Sequence, residues 1–224
     1  MKWVMPLTDL APPHRAIRRP EREWLPTLGW GVMASLSLVI AGTSARYFVP
    51  HPPQVAEMLK ARLAAHDPWI YLHIGGGVIA LAIGPFQFSR LLRLRYLSLH
   101  RWVGRVYLIA VAIGAIAGFR MALESFGGLP THVGFGMLAA LWLFTATMAY
   151  ARILQRRIQS HREWMIRNFA LTFAAVMLRL WLPLMAGVMK IDFLPAYQTI
   201  SWLCWVPNLL LAEVLVNRSK RLPI

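Results

Sequence analysis

The chain has 224 residues, of which 58% are hydrophobic, and it carries a formal net charge of +15 at pH 7. An ordinary soluble domain is less apolar than this, and a nucleic-acid-binding domain would place its basic residues on one face of a polar surface. Here the basic residues form short clusters between long apolar runs, which is typical of membrane proteins. The composition therefore argues against a soluble domain and against nucleic acid as a partner.

Six stretches are long and apolar enough to cross a hydrocarbon core of about 30 Å, which requires roughly 20 helical residues. The predicted spans are 26–48, 69–89, 100–121, 131–152, 162–186 and 197–216. Residues 1–224 are therefore expected to form a single integral membrane domain of the all-α class, a six-helix transmembrane bundle.

The segments outside the spans are predicted from turn and capping residues. Residues 1–25 form a basic tail, and residues 49–68 form an outer loop with a short amphipathic helix at about 55–65. Ser160 and Glu163 have the spacing of a capping box, with Ser160 as the N-cap of the fifth helix.

Orientation follows from the distribution of the 24 Lys and Arg residues, most of which fall in the two tails and in the second-to-third and fourth-to-fifth connections. Lys and Arg accumulate on the cytoplasmic side of a membrane. Both termini are therefore expected in the cytoplasm, and the bacterial inner membrane is the expected location.

Four of the seven histidines lie one per helix near the N-terminal ends of four consecutive predicted helices: His73, His100, His132 and His161. Because these helices alternate in direction, His73 and His132 form an outer layer, and His100 and His161 form an inner layer. Two histidines at one depth on alternate helices are the arrangement that ligates a b-type haem. The pattern predicts two haem b groups in a four-helix haem-binding core, helices 2–5.

Small residues beside the histidines favour the same interpretation. Gly77, Gly104 and Gly136 each follow a predicted ligand histidine by one helical turn, which leaves room for a flat, bulky group. Small residues on membrane helices also serve close helix packing, so the pattern alone leaves both explanations open.

Arginines near the predicted haem layers are candidates for neutralising haem propionates. Arg179 lies within the fifth span, where an arginine is costly and normally faces the bundle interior. Arg120 and Arg46 are outer candidates, and Arg105 and Arg167 are inner ones. For these four, interaction with the membrane interface is the alternative explanation.

The pattern resembles the cytochrome b561 family, whose members have six helices and four haem-ligating histidines on the central four. The resemblance implies His73 with His132 for the outer haem and His100 with His161 for the inner haem. Residues 100–107 and 161–168 resemble more closely a bacterial family of predicted membrane proteins, the domain of unknown function number 2306. The shorter histidine spacing here, and the lack of a recognisable ascorbate site, mean that no substrate is transferred from the b561 family.

The preferred hypothesis is a transmembrane b-type cytochrome, a transmembrane oxidoreductase that carries electrons between the two faces of the membrane. Its expected partners are membrane lipid and a quinone or another small donor or acceptor such as a ferric chelate; a homodimer is compatible with the sequence but not required by it. One alternative is a cofactor-free transporter or assembly factor, with a helix break at residues 75–77 or at Pro183. A weaker alternative is a metalloenzyme that uses the histidines with Glu124, Asp67 or Asp192.

Overall fold

The structure, a computed structural model, describes residues 24–49 and 67–221, which are almost entirely helical. The α-helices are α1 (Trp24–Ala45), α2 (Pro68–Gln87), α3 (Arg90–Arg95), α4 (Leu97–Ala122), α5 (Leu129–Leu154), α6 (Ile158–Thr172), α7 (Ala174–Leu182), α8 (Phe193–Leu203) and α9 (Val206–Arg221). A 3-10 turn, Arg46–Phe48, extends α1, and a π-helical turn, Pro183–Val188, extends α7.

These helices form six segments that are long and apolar enough to cross a membrane: Leu28–Phe48, Pro68–Gln87, Leu97–Ala122, Leu129–Leu154, Ile158–Val188 and Phe193–Arg218. The prediction of an all-α bundle with six membrane helices is therefore confirmed. Most of the predicted basic tail and the amphipathic helix at 55–65 lie outside the described residues.

The N-terminus of α2 is capped by Asp67, whose carboxylate accepts a hydrogen bond of 3.0 Å from the Trp69 backbone N–H. The capping box predicted for the fifth membrane helix is wrong. The chain turns at Arg156 in a left-handed conformation, φ 58°, and α6 begins two residues later with Arg157 at its N-cap. Ser160 therefore falls inside the first helical turn, and the Glu163 carboxylate accepts a hydrogen bond from Gln159 instead.

The fifth membrane helix, Ile158–Val188, is continuous but irregular at two points. A turn at Phe173 separates α6 from α7, and the helix widens into the π-turn at Pro183. Proline has no backbone N–H and clashes with the preceding turn, so it disrupts the regular hydrogen-bond ladder. The helix changes its geometry at Pro183 without ending there, and residues 75–77 lie within the uninterrupted helix α2, so neither position contains the break that the transporter alternative considered.

Helices α2 and α4 pack closely through glycine. A Cβ atom added to Gly76 would lie 2.5 Å from the Ala110 carbonyl oxygen and 2.8 Å from the Gly114 Cα. No side chain fits at this crossing, so the two backbones are in direct contact, as small residues permit in membrane helices.

A buried hydrogen-bond network joins α4, α5 and α6. The Tyr107 hydroxyl contacts Asn168 Oδ1 at 2.7 Å and Thr172 Oγ1 at 2.8 Å. Asn168 Nδ2 donates to the Trp142 carbonyl and to Thr145 Oγ1, both at 2.9 Å. Each of these polar groups is paired, as the low dielectric of a membrane bundle requires.

We call the end of the bundle that holds His73 and His132 the outer end, and the end that holds His100 and His161 the inner end. Adjacent helices run antiparallel, because the start of α2 contacts the end of α4: a Cβ atom added to Gly118 would lie 2.8 Å from His73 Nδ1. At the opposite end, Gly104 near the start of α4 meets Gln87 at the end of α2.

Candidate functional site

A cavity of about 420 Å³ opens in the outer half of the bundle. Its walls come from α2, α4, α5, α6, α7 and α8, and they are largely apolar. His73 and Arg179 are basic groups in this wall, and Glu124 is an acidic one. A largely apolar space of this size with a few polar groups is the usual form of a ligand pocket.

His73 is held in the cavity wall by a backbone contact. Its Nδ1 atom lies 2.9 Å from the Gly114 carbonyl oxygen, in the next helix. A histidine that binds a metal ion usually donates its second ring N–H to such an acceptor, which fixes the tautomer and the ring orientation. The arrangement leaves Nε2 of His73 as the atom available for a ligand.

Arg179 extends from α7 into the same wall. Its guanidinium donates to the Ala175 carbonyl at 3.0 Å and to Ser44 Oγ on α1 at 2.9 Å. Its charge is close enough to His73 to act on that ring electrostatically. Arg179 therefore faces the bundle interior at the outer end, beside the cavity.

His132 lies one turn outward of the cavity on α5. Phe135 and Ala139, three and seven residues later on the same helical stripe, line the cavity. However, the Nε2 atom of His132 lies 2.9 Å from the Ser125 carbonyl oxygen, in the loop before α5. This ring is therefore engaged through the nitrogen opposite to the one used by His73.

Aromatic rings surround the outer part of the cavity. Phe126, Phe135 and Tyr197 line it directly. Tyr197 stacks on Phe193 at an interplanar angle of 13° and contacts the ring of Phe135 at 5.4 Å between centroids. Flat apolar faces of this kind suit a planar ligand.

The three glycines predicted beside the histidines have different surroundings. An added Cβ at Gly77 would meet no heavy atom within 4 Å, and Gly77 lines the cavity. At Gly104 it would lie 3.3 Å from Gln87 Oε1, and at Gly136 it would make ordinary contacts with Phe119 and Ala122. Only Gly77 of the three opens onto the outer cavity.

At the inner end, His100 and His161 lie within electrostatic range of each other. His161 Nδ1 is 2.8 Å from the Ala149 carbonyl oxygen, which repeats the backbone contact of His73. The Nδ1 atom of His100 is buried and has no hydrogen-bond partner among the residues that the structure describes. The fold thus places the two inner histidines at the same end of the bundle.

The other predicted arginines are placed elsewhere. Arg167 forms a two-point ion pair with Glu213 on α9, at 2.6 and 2.9 Å, and its guanidinium lies over the Trp164 ring. Arg120 pairs with Glu124 at the outer end of α4. Arg46 and Arg105 are exposed.

Several contributors to the site were not predicted from the sequence. Ser44, which accepts from Arg179, and Trp142 and Cys204, which line the cavity, have no recognisable local motif. Asn168 could have been recognised from the sequence, because a polar amide in the middle of a membrane span needs a partner inside the bundle.

The described residues do not form the metal-ligand set that the metalloenzyme alternative requires. Within residues 24–49 and 67–221, no three His, Cys, Asp or Glu side chains come close enough to hold a metal ion together. Asp67 instead caps α2, and Glu124 pairs with Arg120.

Fold and site together define a polytopic membrane protein with a ligand-sized cavity between its helices. Residues 70–216 match the family described as "Predicted membrane protein (DUF2306)", and the chain belongs to that family. The match runs from most of α2 to most of α9 and therefore includes His73, His100, His132 and His161. Neither the curated proteins nor the solved structures contain a match to this chain.

Proposed function

We propose that this protein is a transmembrane b-type cytochrome of the bacterial inner membrane, with both termini in the cytoplasm. It would bind one haem b at the outer end through His73 and His132, and a second at the inner end through His100 and His161. The observation that carries the proposal is His73: its Nδ1 is fixed on the Gly114 carbonyl while its ring lines a 420 Å³ cavity shared with Arg179.

The outer residues fit a haem in three respects. The cavity has the volume and apolar lining of a ligand pocket. Gly77 opens onto it one turn after His73. Arg179 supplies a positive charge that would pair with a propionate. His132 lies on the same face of α5 as residues that line the cavity. To ligate a haem through Nε2, its ring would have to release the hydrogen bond to the Ser125 carbonyl.

The inner residues fit by their donor chemistry. His161 has the same backbone-anchored Nδ1 as His73, and His100 lies at the same end of the bundle, within electrostatic range of it.

Bound haem supplies one-electron chemistry, with a reduction potential set by its ligands and surroundings. The chain's part is to ligate through imidazole, to fix ring orientation through the Gly114 and Ala149 carbonyls, and to exclude water with apolar helix faces. Arg179 holds a positive charge at the outer site. A quinone, or another small electron donor or acceptor, is the proposed partner.

The test is an absorption spectrum of the full chain purified in mild detergent. The expected result is a sharp reduced-minus-oxidised haem b spectrum with two haems per chain. His73→Ala should remove the outer signal alone, whereas His14→Ala, at a histidine outside the spans, should change neither signal. A folded but colourless wild-type protein would overturn the proposal.

The irregular fifth helix favours a second candidate, a cofactor-free transporter. π-Helical turns within α-helices occur frequently at functional sites. Ala174, Ala175 and Leu178 of α7 line this cavity between the turn at Phe173 and the π-turn at Pro183. Cys204 lines the cavity and is the only cysteine in the chain. If the protein is a transporter, the purified protein should contain no iron. A water-soluble maleimide should then label Cys204 in one conformational state.

A further inference from the structure

Gln87 is a buried polar side chain with an unsatisfied amide. It is the last residue of α2 and only 6% exposed. Its Nε2 atom has no hydrogen-bond partner within the described ranges, and its Oε1 faces Gly104 on α4. Burying an amide without a partner is unfavourable, so this position calls for a ligand that can accept a hydrogen bond.

A basic side chain contacts the backbone at the same position, and further basic residues act on it and on His100. Arg93, on the short helix α3, donates to the backbone carbonyls of Gln87 and Phe88 at 3.4 and 3.0 Å. The charges that act on Arg93 and His100 are those of basic residues: Arg162 on Arg93, and Arg93, His161 and Arg101 on His100. Burial, and then the Arg162 charge, lower the pKa of Arg93. A negative charge here would relieve repulsion between cations that the fold brings together.

His100 adds a second unsatisfied atom to the cluster. Its buried Nδ1 has no partner among the described residues, and it lies one turn before Gly104, which faces Gln87. Gln87 and Arg93 are hydrogen-bond donors, and the imidazole Nδ1 is a donor when it carries a proton. Their natural counterpart is an anionic oxygen ligand.

The surroundings of the cluster are those of a membrane interface. Leu91 and Leu94 on α3 are 57% and 70% exposed, and Trp102 at the start of α4 is 63% exposed. They alternate with the arginines of α3 and α4. Exposed leucine and tryptophan next to arginine are typical of a segment that lies in the headgroup region.

We propose that Gln87, Arg93 and His100 form a binding site for the headgroup phosphate of one anionic phospholipid at the inner end of the bundle. Leu91, Leu94 and Trp102 would contact the adjoining acyl chains. The site uses Nδ1 of His100 and leaves Nε2 for iron, so it does not depend on the proposed haem and can be tested on haem-free protein.

The test measures phospholipid retained by the purified full chain, by native mass spectrometry after exchange into phosphatidylglycerol or phosphatidylcholine. The wild-type protein should retain one phosphatidylglycerol and no phosphatidylcholine. Gln87→Glu keeps the side-chain size but adds a negative charge, and Arg93→Gln removes a positive one. Each should reduce retention by about tenfold, the effect of losing one charged hydrogen bond.

Arg95→Gln is the matched control, because Arg95 lies on the same short helix and is exposed. Its retention should stay within about twofold of wild type. Equal losses for Arg95→Gln and Arg93→Gln would overturn the proposal, since they would indicate diffuse surface charge. Unchanged retention in Gln87→Glu would also overturn it, as would displacement of phosphatidylglycerol by inorganic phosphate at equal concentration.

Discussion

The hydroxyl of Tyr107 lies 2.7 Å from Oδ1 of Asn168, which joins α4 to α6 inside the apolar core. The same hydroxyl contacts Thr172, and Trp142 donates to Thr172 at 2.8 Å, so the network reaches the wall of the outer cavity. The rigid polar core of the bundle and its ligand-sized space are therefore built from shared residues.

Tyr107→Phe should destabilise the protein by about 1–2 kcal/mol, because it leaves Asn168 Oδ1 buried without its donor. The measurement is the midpoint of thermal unfolding in detergent, followed by circular dichroism. Tyr150→Phe, at an exposed tyrosine on α5, should leave the midpoint unchanged. Equal midpoints for all three proteins would contradict the network.

Gly76→Ala should destabilise the bundle by about 1–3 kcal/mol, the usual cost of overpacking. The added methyl group would meet backbone atoms of α4 at 2.5–2.8 Å, and a backbone cannot move aside as a side chain can. Gly77→Ala is the neighbouring control, because its Cβ meets no atom within 4 Å. Similar unfolding midpoints for the two variants would show that α2 and α4 are not in close contact.

Gly76 and Gly77 show what could and could not be predicted from the sequence. The sequence predicted Gly77 as a small residue one turn after His73, whereas Gly76 was considered only as part of a helix break at 75–77. Which one packs against a helix and which one opens onto a cavity depends on the rotation of α2 against α4. That rotation is set by side chains on both helices, so it cannot be predicted from the sequence of α2 alone.

The same limit applies to the charged residues. The spans followed from hydrophobic length, and the one-histidine-per-helix pattern correctly placed two rings at each end of the bundle. The ion pair of Arg167 with Glu213 was not predicted, because Glu213 lies 46 residues away and only packing of α9 against α6 brings it close. Long-range pairs of this kind are fixed by tertiary structure.

Arg167→Gln should cost about 1 kcal/mol, and a double-mutant cycle with Glu213→Gln should show coupling between the two positions. The value is modest because the Glu213 side chain is 41% exposed, so solvent weakens the pair. Unfolding midpoints of the four proteins measure the coupling. Purely additive effects would argue that Arg167 acts on another partner, the inner haem propionate among them.

Arg179→Gln should lower the midpoint potential of the outer haem in haem-loaded protein, because a nearby positive charge favours the reduced iron. At an effective dielectric constant of about 20, unit charges about 10 Å apart interact by roughly 1–2 kcal/mol, or tens of millivolts for one electron. Redox titration followed by absorption gives the value. Ser44→Ala keeps the charge, so its potential should remain near that of wild type; an equal shift in both variants would assign the effect to structure.

The contact between Arg179 and Ser44 also limits how far the chain can be shortened at its N-terminus. The family match begins at residue 70, whereas Ser44 lies on α1, upstream of it. A fragment limited to residues 70–216 would lose the hydroxyl that accepts from Arg179 and leave that arm of the guanidinium facing hydrocarbon, where an unpaired charge is costly. Expression of the matched region alone should therefore yield an unstable bundle, and any shortened version meant for crystallisation or ligand work must begin before α1.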